Sequence, residues 1–263
     1  VLFDEIDGTF PNHHPDPTVE ANLVDLRKAV LEEGCDLGIG FDGDGDRLGV
    51  IDEKGRILWG DQLIAIYAAD VLRAHPGATI IADVKASQGL FEEIARLGGR
   101  PLMWKTGHSL IKAKMRETEA ELAGEMSGHF FFRERWYGFD DGIYAAARLL
   151  EIIASDGREP EEIFAELPKG VSTPELKIEM EEGEHYAFIE KFRERAKFDG
   201  ARIATIDGIR ADWGDGWGLV RASNTTPVVV LRFDADNGEA LARIQQAFRE
   251  QLLAIDPELI LPF

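Results

Sequence analysis

The 263-residue chain carries 29 Lys and Arg against 49 Asp and Glu, giving a net charge of −20 and a pI near 4.7. That excess repels nucleic-acid backbones and anionic membranes, so any anionic ligand has to be met by local cations. Apolar residues make up 44% of the chain without a run near the roughly 20 residues that span a bilayer, and the lone Cys35 excludes an internal disulfide and points to a reducing, cytoplasmic setting.

In chain order, Val1-Leu2-Phe3 reads as the middle of a strand, so the chain is expected to begin inside a larger protein. Asn12-His13-His14-Pro15 invites a metal reading, but adjacent histidines on a loop point in different directions and are given no role. Val19 to Glu33 has the apolar spacing of an amphipathic helix, with Thr18 as its expected cap and Gly34 as its stop. Cys35 is expected in the core on the approach to a strand. Leu37 to Phe41 and Leu48 to Ile51 read as short buried strands joined by a glycine-rich loop, followed by a turn at Asp52-Glu53-Lys54-Gly55. Helices are then expected over Asp61 to Ala74, Gly89 to Leu97, Ser109 to Glu117 and Ile143 to Ala154. Strands are expected over Thr79 to Asp83, Pro101 to Trp104 and Leu122 to Gly124. Such alternation predicts a doubly wound α/β layer. Pro168-Lys169-Gly170 breaks it, and Pro168 to Ser172 is the expected hinge. Beyond lie strands at Thr173 to Met180, Ala201 to Thr205, Leu219 to Arg221 and Val228 to Phe233, with helices at Glu184 to Ala196 and Glu239 to Leu253. These imply an α+β domain, so the expected units are 1–56, 57–168 and 169–263.

The chemistry concentrates in three loops. In Gly40-Phe41-Asp42-Gly43-Asp44-Gly45-Asp46-Arg47, glycines let Asp42, Asp44 and Asp46 converge, and three close carboxylates need a cation. Hard oxygen ligands from one loop suit Mg²⁺ completed by phosphate or water. An EF-hand would run from Asp42 to Glu53 but needs glycine where Arg47 stands, and helices where strands are predicted. A phosphatase with Asp42 as nucleophile and Asp44 as acid/base would carry a hydroxyl residue in place of Asp46. The second loop, Gly124-Glu125-Met126-Ser127-Gly128-His129, sets a carboxylate, a hydroxyl and an imidazole at alternate positions, a pattern that grips vicinal sugar hydroxyls or simply forms a polar turn. The third, Arg221-Ala222-Ser223-Asn224-Thr225-Thr226-Pro227, offers a guanidinium, hydroxyls, an amide and backbone N–H groups to a phosphate. Lys85 follows a strand end, where α/β sheets bind ligands, and otherwise reads as a solvated loop residue. His108 begins a helix, as an anion donor or as a cap.

These loops, in this order, together with Phe10-Pro11-Asn12-His13-His14-Pro15-Asp16-Pro17, resemble the bacterial phosphomannomutase/phosphoglucomutases of the α-D-phosphohexomutase superfamily, over essentially the whole chain. The resemblance implies the last part of a four-domain cytoplasmic enzyme: a truncated second domain, a complete third and a C-terminal fourth. In such enzymes a phosphoserine exchanges phosphate with a hexose 1- or 6-phosphate through a hexose 1,6-bisphosphate. Carried onto this chain, Asp42, Asp44 and Asp46 hold Mg²⁺ against the seryl phosphate and Arg47 contacts the reacting end. Glu125 and Ser127 grip sugar O3 and O4, while Arg221, Ser223, Asn224 and Thr225 hold the other phosphate. Lys85, His108 and His129 add anion binding, with His129 also a proton-transfer group. The family's phosphoserine segment resembles Thr-Ala-Ser-His-Asn-Pro, and none of Ser87, Ser109, Ser127, Ser155, Ser172 or Ser223 stands in such a segment. The phosphoserine domain is therefore expected as a missing partner, and the 263 residues alone are expected to be an inactive monomer that binds hexose phosphate weakly. The competing class is a sugar-phosphate-binding module without catalysis.

Overall fold

The computed structural model describes every residue except Pro168 and Lys169. The chain divides into two compact units, Val1–Met103 with His108–Pro168, and Trp104–Gly107 with Lys169–Phe263. The boundary expected after residue 168, and the first part of the expected hinge, fall on the two residues outside the description. Val171 and Ser172 of that hinge are strand residues paired with Ala235 and Asp234.

In the first unit a 3-10 turn at Glu20–Leu23 leads into α1 (Val24–Glu33), which Gly34 ends in the left-handed conformation. Thr18 is not its cap. The Thr18 backbone N–H and hydroxyl both donate to Asp16 Oδ1, so the expected capping residue closes a turn one step earlier. β1 (Leu37–Phe41), β2 (Leu48–Asp52) and β3 (Ile57–Leu58) form an antiparallel sheet in that order. Two readings fail at its margins. Val1 to Phe3 form no strand and are exposed, because no ladder reaches them, and Cys35 is exposed because the chain is still turning out of α1 there.

Next come α2 (Gly60–Ala74), β4 (Thr79–Asp83), α3 (Gln88–Arg96), β5 (Arg100–Trp104), α4 (His108–Thr118), β6 (Leu122–Gly124), β7 (Phe130–Phe132), α5 (Gly142–Asp156) and α6 (Pro160–Ala165). Their strands run in the order β5-β4-β6-β7, with β4 and β6 parallel and β7 antiparallel to β6. The parallel pair places the loops after Asp83 and after Gly124 at the same end of the sheet. α2 is the centre of this core: Leu63, Ile64, Tyr67, Ala68 and Val71 are wholly buried. Tyr67 donates its hydroxyl to Ala145 O at 2.9 Å and meets Phe130 and Phe132 edge-on.

Arg148 of α5 is buried within this apolar mass. It donates to Glu134 Oε2 at 2.5 Å and Asp70 Oδ2 at 2.7 Å, and lies 4.8 Å from the Phe132 ring centroid.

The second unit contains β8 (Val171–Ser172), β9 (Leu176–Glu179), α7 (Glu184–Arg195), β10 (Arg202–Ala204), β11 (Ile209–Trp213), β12 (Gly216–Ala222), β13 (Val228–Ala235) and α8 (Gly238–Ile255). Strands β10-β11-β12-β13 are neighbours in that order, and β13 also pairs with β8 and β9. Strand alternation divides the sheet. Ile209, Ala211, Val220, Ala222, Val229, Leu231 and Phe233 share the core with Phe192 of α7 and Phe248 of α8. The intervening positions on β11 to β13 carry Arg210, Trp217, Leu219, Arg221 and Arg232, all buried, with Arg210 stacked 3.9 Å over Trp217. Among the described residues no helix is long and apolar enough to cross a membrane.

Arg148→Ala should destabilise the chain by about 3 kcal/mol in equilibrium denaturation, because it leaves the buried Glu134 carboxylate without its cation.

Candidate functional site

The Asp42–Arg47 loop joins β1 to β2, and Gly45 takes φ +78° to turn it. Donor oxygens of Asp42, Asp44 and Asp46 all lie within 4.8 Å of one another. Arg47 secures one end of the trio: its backbone N–H donates to Asp42 Oδ1 at 3.0 Å and its Nε to Oδ2 at 2.7 Å. Its Nη1 reaches Asp16 Oδ1 at 3.2 Å. Burial opposes ionisation of Asp42, but these bonds and the Arg47 charge hold its carboxyl below the usual range. Asp46 goes the other way, raised by burial and then by Asp42, Asp44 and Asp140, with His129 opposing. The loop therefore holds more negative charge than its own cation offsets. Three hard oxygens this close, with one carboxyl pushed up, fit a divalent ion such as Mg²⁺.

The loop is tied to the chain after β6. Leu48 N donates to Gly128 O at 2.9 Å, and Arg47 and His129 form an antiparallel bridge. Gly128 has φ +91°, and a Cβ there would stand 2.7 Å from Leu48 O. On the other side Gly142 N donates to Gly45 O at 3.0 Å, and a Cβ on Gly142 would stand 2.7 Å from Arg47 O and 2.8 Å from Gly45 O. Glycine is required at both places because the metal-capable loop is seated on bare backbone.

This brings the first two predicted loops together. Glu125 is buried, with its Oε2 3.2 Å from His129 Nδ1 and 3.3 Å from Ser127 Oγ. Ser127 Oγ is also 2.9 Å from His129 Nδ1, and His129 Nε2 faces Asp46 Oδ1 at 3.3 Å. Burial disfavours a charged His129 ring, but Glu125, Asp46 and Asp140 outweigh it and raise its pKa above the ordinary imidazole value. His108 stacks on His129, with centroids 5.7 Å apart, and its Nδ1 lies 3.0 Å from Asp140 Oδ2. Lys85 corrects its solvated reading: it is buried, 3.9 Å from Asp83 Oδ2, because the turn after β4 folds inward. Asp83 is fully buried and accepts from Met126 N at 3.3 Å, which links the Lys85 turn to the Glu125 loop.

In the second unit Arg221 is buried at the end of β12. Its Nε donates to Asp207 Oδ2 at 2.9 Å, and its buried Nη2 has no partner among the described residues. Ser223 is buried, and its Oγ accepts from the backbone N–H groups of Thr225 and Thr226 at 3.3 Å each. Asn224 and Thr225 are exposed. A buried guanidinium with a spare donor, beside an exposed polar turn, is suited to holding an anion.

Sequence reasoning missed Asp16, Asp83, Asp140 and Lys112. None stands in a spaced cluster of its own. Asp16 does lie within the Phe10-to-Pro17 stretch, the one signal that marked it.

Comparison with known proteins then decides the family. Family descriptions for phosphoglucomutase/phosphomannomutase match residues 2–55 (alpha/beta/alpha domain II), 59–171 (alpha/beta/alpha domain III) and 175–251 (C-terminal domain). The chain belongs to the phosphoglucomutase/phosphomannomutase family. It is 56% identical over 262 residues to a phosphomannomutase/phosphoglucomutase of Pseudomonas aeruginosa, covering 100% of this chain and 57% of that protein. A Neisseria gonorrhoeae phosphoglucomutase is 50% identical over 263 residues, with 99% and 57% covered. The crystal structure of a phosphoglucomutase/phosphomannomutase family protein from Burkholderia thailandensis superposes with a TM-score of 0.93 at 54% identity, over 100% of this chain and 56% of that one. The chain thus spans a little under three-fifths of these family relatives.

Gly142→Ala should cost about 1–3 kcal/mol and loosen the aspartate loop with it. Thermal denaturation reads the first effect, and faster amide hydrogen exchange at Gly45 to Arg47 the second.

Proposed function

We propose that this chain is the metal-, sugar- and phosphate-binding part of a phosphohexomutase that interconverts the 1- and 6-phosphates of mannose or glucose, a cytoplasmic enzyme acting as a monomer. The observation that carries this reading is the clasp: Arg47 holds Asp42, and His129 lies between Asp46 and Glu125, so the cation loop and the hydroxyl-binding loop are one construction.

Asp42, Asp44 and Asp46 would hold Mg²⁺, which supplies charge neutralisation at a transferring phosphoryl group. Arg47 and the buried Lys85 add fixed positive charge at the reacting end. Glu125 and Ser127 bind neighbouring sugar hydroxyls, and His129, lying between the Asp46 and Glu125 carboxylates, keeps their loop in register with the cation loop. His108 offers a donor to an anion. Arg221 receives a phosphate through its spare Nη2, with Ser223, Asn224 and Thr225 completing the cradle. A hexose 1,6-bisphosphate is the intermediate. The phosphoryl carrier comes from a seryl group outside these 263 residues, since no serine here stands in a suitable segment. Asp42 has both carboxylate oxygens engaged by Arg47, which favours a ligand role over a phosphatase nucleophile. The three domains are 1–56, 57–168 and 169–263.

Titration calorimetry should detect Mg²⁺ at millimolar concentration, and Asp46→Asn or Asp44→Asn should weaken it at least tenfold. No heat with the unaltered chain would defeat the metal assignment. Arg221→Lys keeps the charge but loses the forked donor geometry, so hexose phosphate affinity should fall about tenfold with little change in melting temperature. The activity itself is tested with the longer protein carrying the N-terminal region that the relatives have, assayed on glucose and mannose 1-phosphates. No 6-phosphate product from either sugar would sink the mutase reading.

A further inference from the structure

The bend between β10 and β11 is pressed onto the end of β12. Gly208 takes φ +75° there, and a Cβ on it would stand 2.2 Å from Val220 O and 2.7 Å from Arg221 Cα, so the bend can lie this close only with glycine. The preceding residue, Asp207, is thereby carried alongside Arg221. Its Oδ2 accepts from Arg221 Nε at 2.9 Å and also from the backbone N–H of Thr106 at 3.1 Å. The same residue is gripped from its other side, because Asn224 Nδ2 donates to Thr106 O at 3.1 Å. Trp104–Gly107 belong to the second unit, so this clamp lies within one compact body. The Asp207 and Arg221 side chains are 15% and 4% exposed, which withdraws the pair from the solvent screening that weakens surface ion pairs.

We propose that Asp207 is a positioning residue that sets Arg221 for its anion: by holding Nε it fixes the plane of the guanidinium and leaves the buried Nη2 as the donor the anion receives, with Thr106 built into the wall of the cradle. The choice of phosphate as that anion rests on the proposed function; the hold on Arg221 does not. A guanidinium is a rigid fork, so pinning one nitrogen decides where the others stand. An arginine free to swing would lose its rotamer freedom when the anion arrives, whereas this one has lost it on folding. Asp207 also offsets the Arg221 charge. Recognition then depends on direction more than on net charge: the Nη2 donor that no described residue satisfies stands at a set place beside the exposed turn of Asn224 and Thr225. Asn224 uses one of its two amide hydrogens on Thr106, so it serves the clamp without leaving the cradle.

Hydrogen exchange in proton–nitrogen spectra of the 263-residue chain tests the hold directly. Arg221 Nε–H and Thr106 N–H should exchange slowly, and Asp207→Ala should speed both by about tenfold or more while the amides of the β12–β13 ladder keep their protection. Unchanged exchange at Arg221 Nε–H overturns the proposal. With glucose 6-phosphate as the probe, followed by shifts in the same spectra, Asp207→Asn should weaken binding by about fivefold or more, and Asp207→Glu should recover part of the loss. In the longer, active protein Asp207→Asn should raise KM by about fivefold or more with kcat within about threefold, because the weakened contact serves the phosphate that does not react. A KM within about twofold of wild type overturns the proposal, as does a loss confined to kcat. If Asp207→Ala fails to fold, the shape-preserving Asp207→Asn is read by the same exchange criteria. A wild-type chain that binds no glucose 6-phosphate, or a longer protein with no mutase activity, defeats the functional reading, while the exchange rates still decide the hold of Asp207 on Arg221.

Discussion

Mutual repulsion among Asp42, Asp44 and Asp46 is the constraint around which the first unit is arranged. Three carboxylates within 4.8 Å cannot all stay ionised without compensation, and the protein supplies only part of it. Arg47 pairs with Asp42 and His129 with Asp46, yet the Asp46 carboxyl is still pushed up. That residual imbalance is what the proposed cation would offset. Backbone bonds at Gly45 and Leu48 hold the loop alongside the Arg47 and His129 side chains, so its position does not depend on the charged contacts alone.

The second unit meets its electrostatic task differently. Arg221 is buried, bonded through Nε to Asp207, and left with a buried Nη2 donor that none of the described residues satisfies. Such an orphan costs roughly 1–3 kcal/mol, a penalty that the proposed phosphate would remove. The first unit is thus poised by excess charge and the second by an unmet hydrogen bond.

Local pattern made much of this legible. The Asp42–Arg47 loop, the Glu125–His129 loop and the Arg221–Thr225 turn each announce themselves by spacing, and the strands and helices around them follow from period and caps. What could not be read was partnership across the chain. Arg148 with Glu134 and Asp70, or Asp140 with His108 and Lys112, are separated by 14 to 78 residues, and no periodicity links them. Residue-type priors failed for the same reason. A lysine after a strand is equally a ligand group or a solvated residue until Asp83 is found beside it, and a cysteine before a strand looks buried until the turn carries it outward. Short elements such as β3 and β8 exist only because a neighbouring strand recruits them.

The parallel pairing of β4 with β6 has one more consequence. The turns that carry Lys85 and Glu125 both leave the carboxyl ends of those strands, so the turn at Gly77, which feeds β4 from its amino end, lies at the other end of the sheet. A Cβ at that glycine would meet nothing within 4 Å. The φ of +80° at Gly77 still reserves that position for glycine, so a dye or an affinity handle is better carried by the exposed Ala74 or His75 beside it, at the end of the sheet opposite the candidate site.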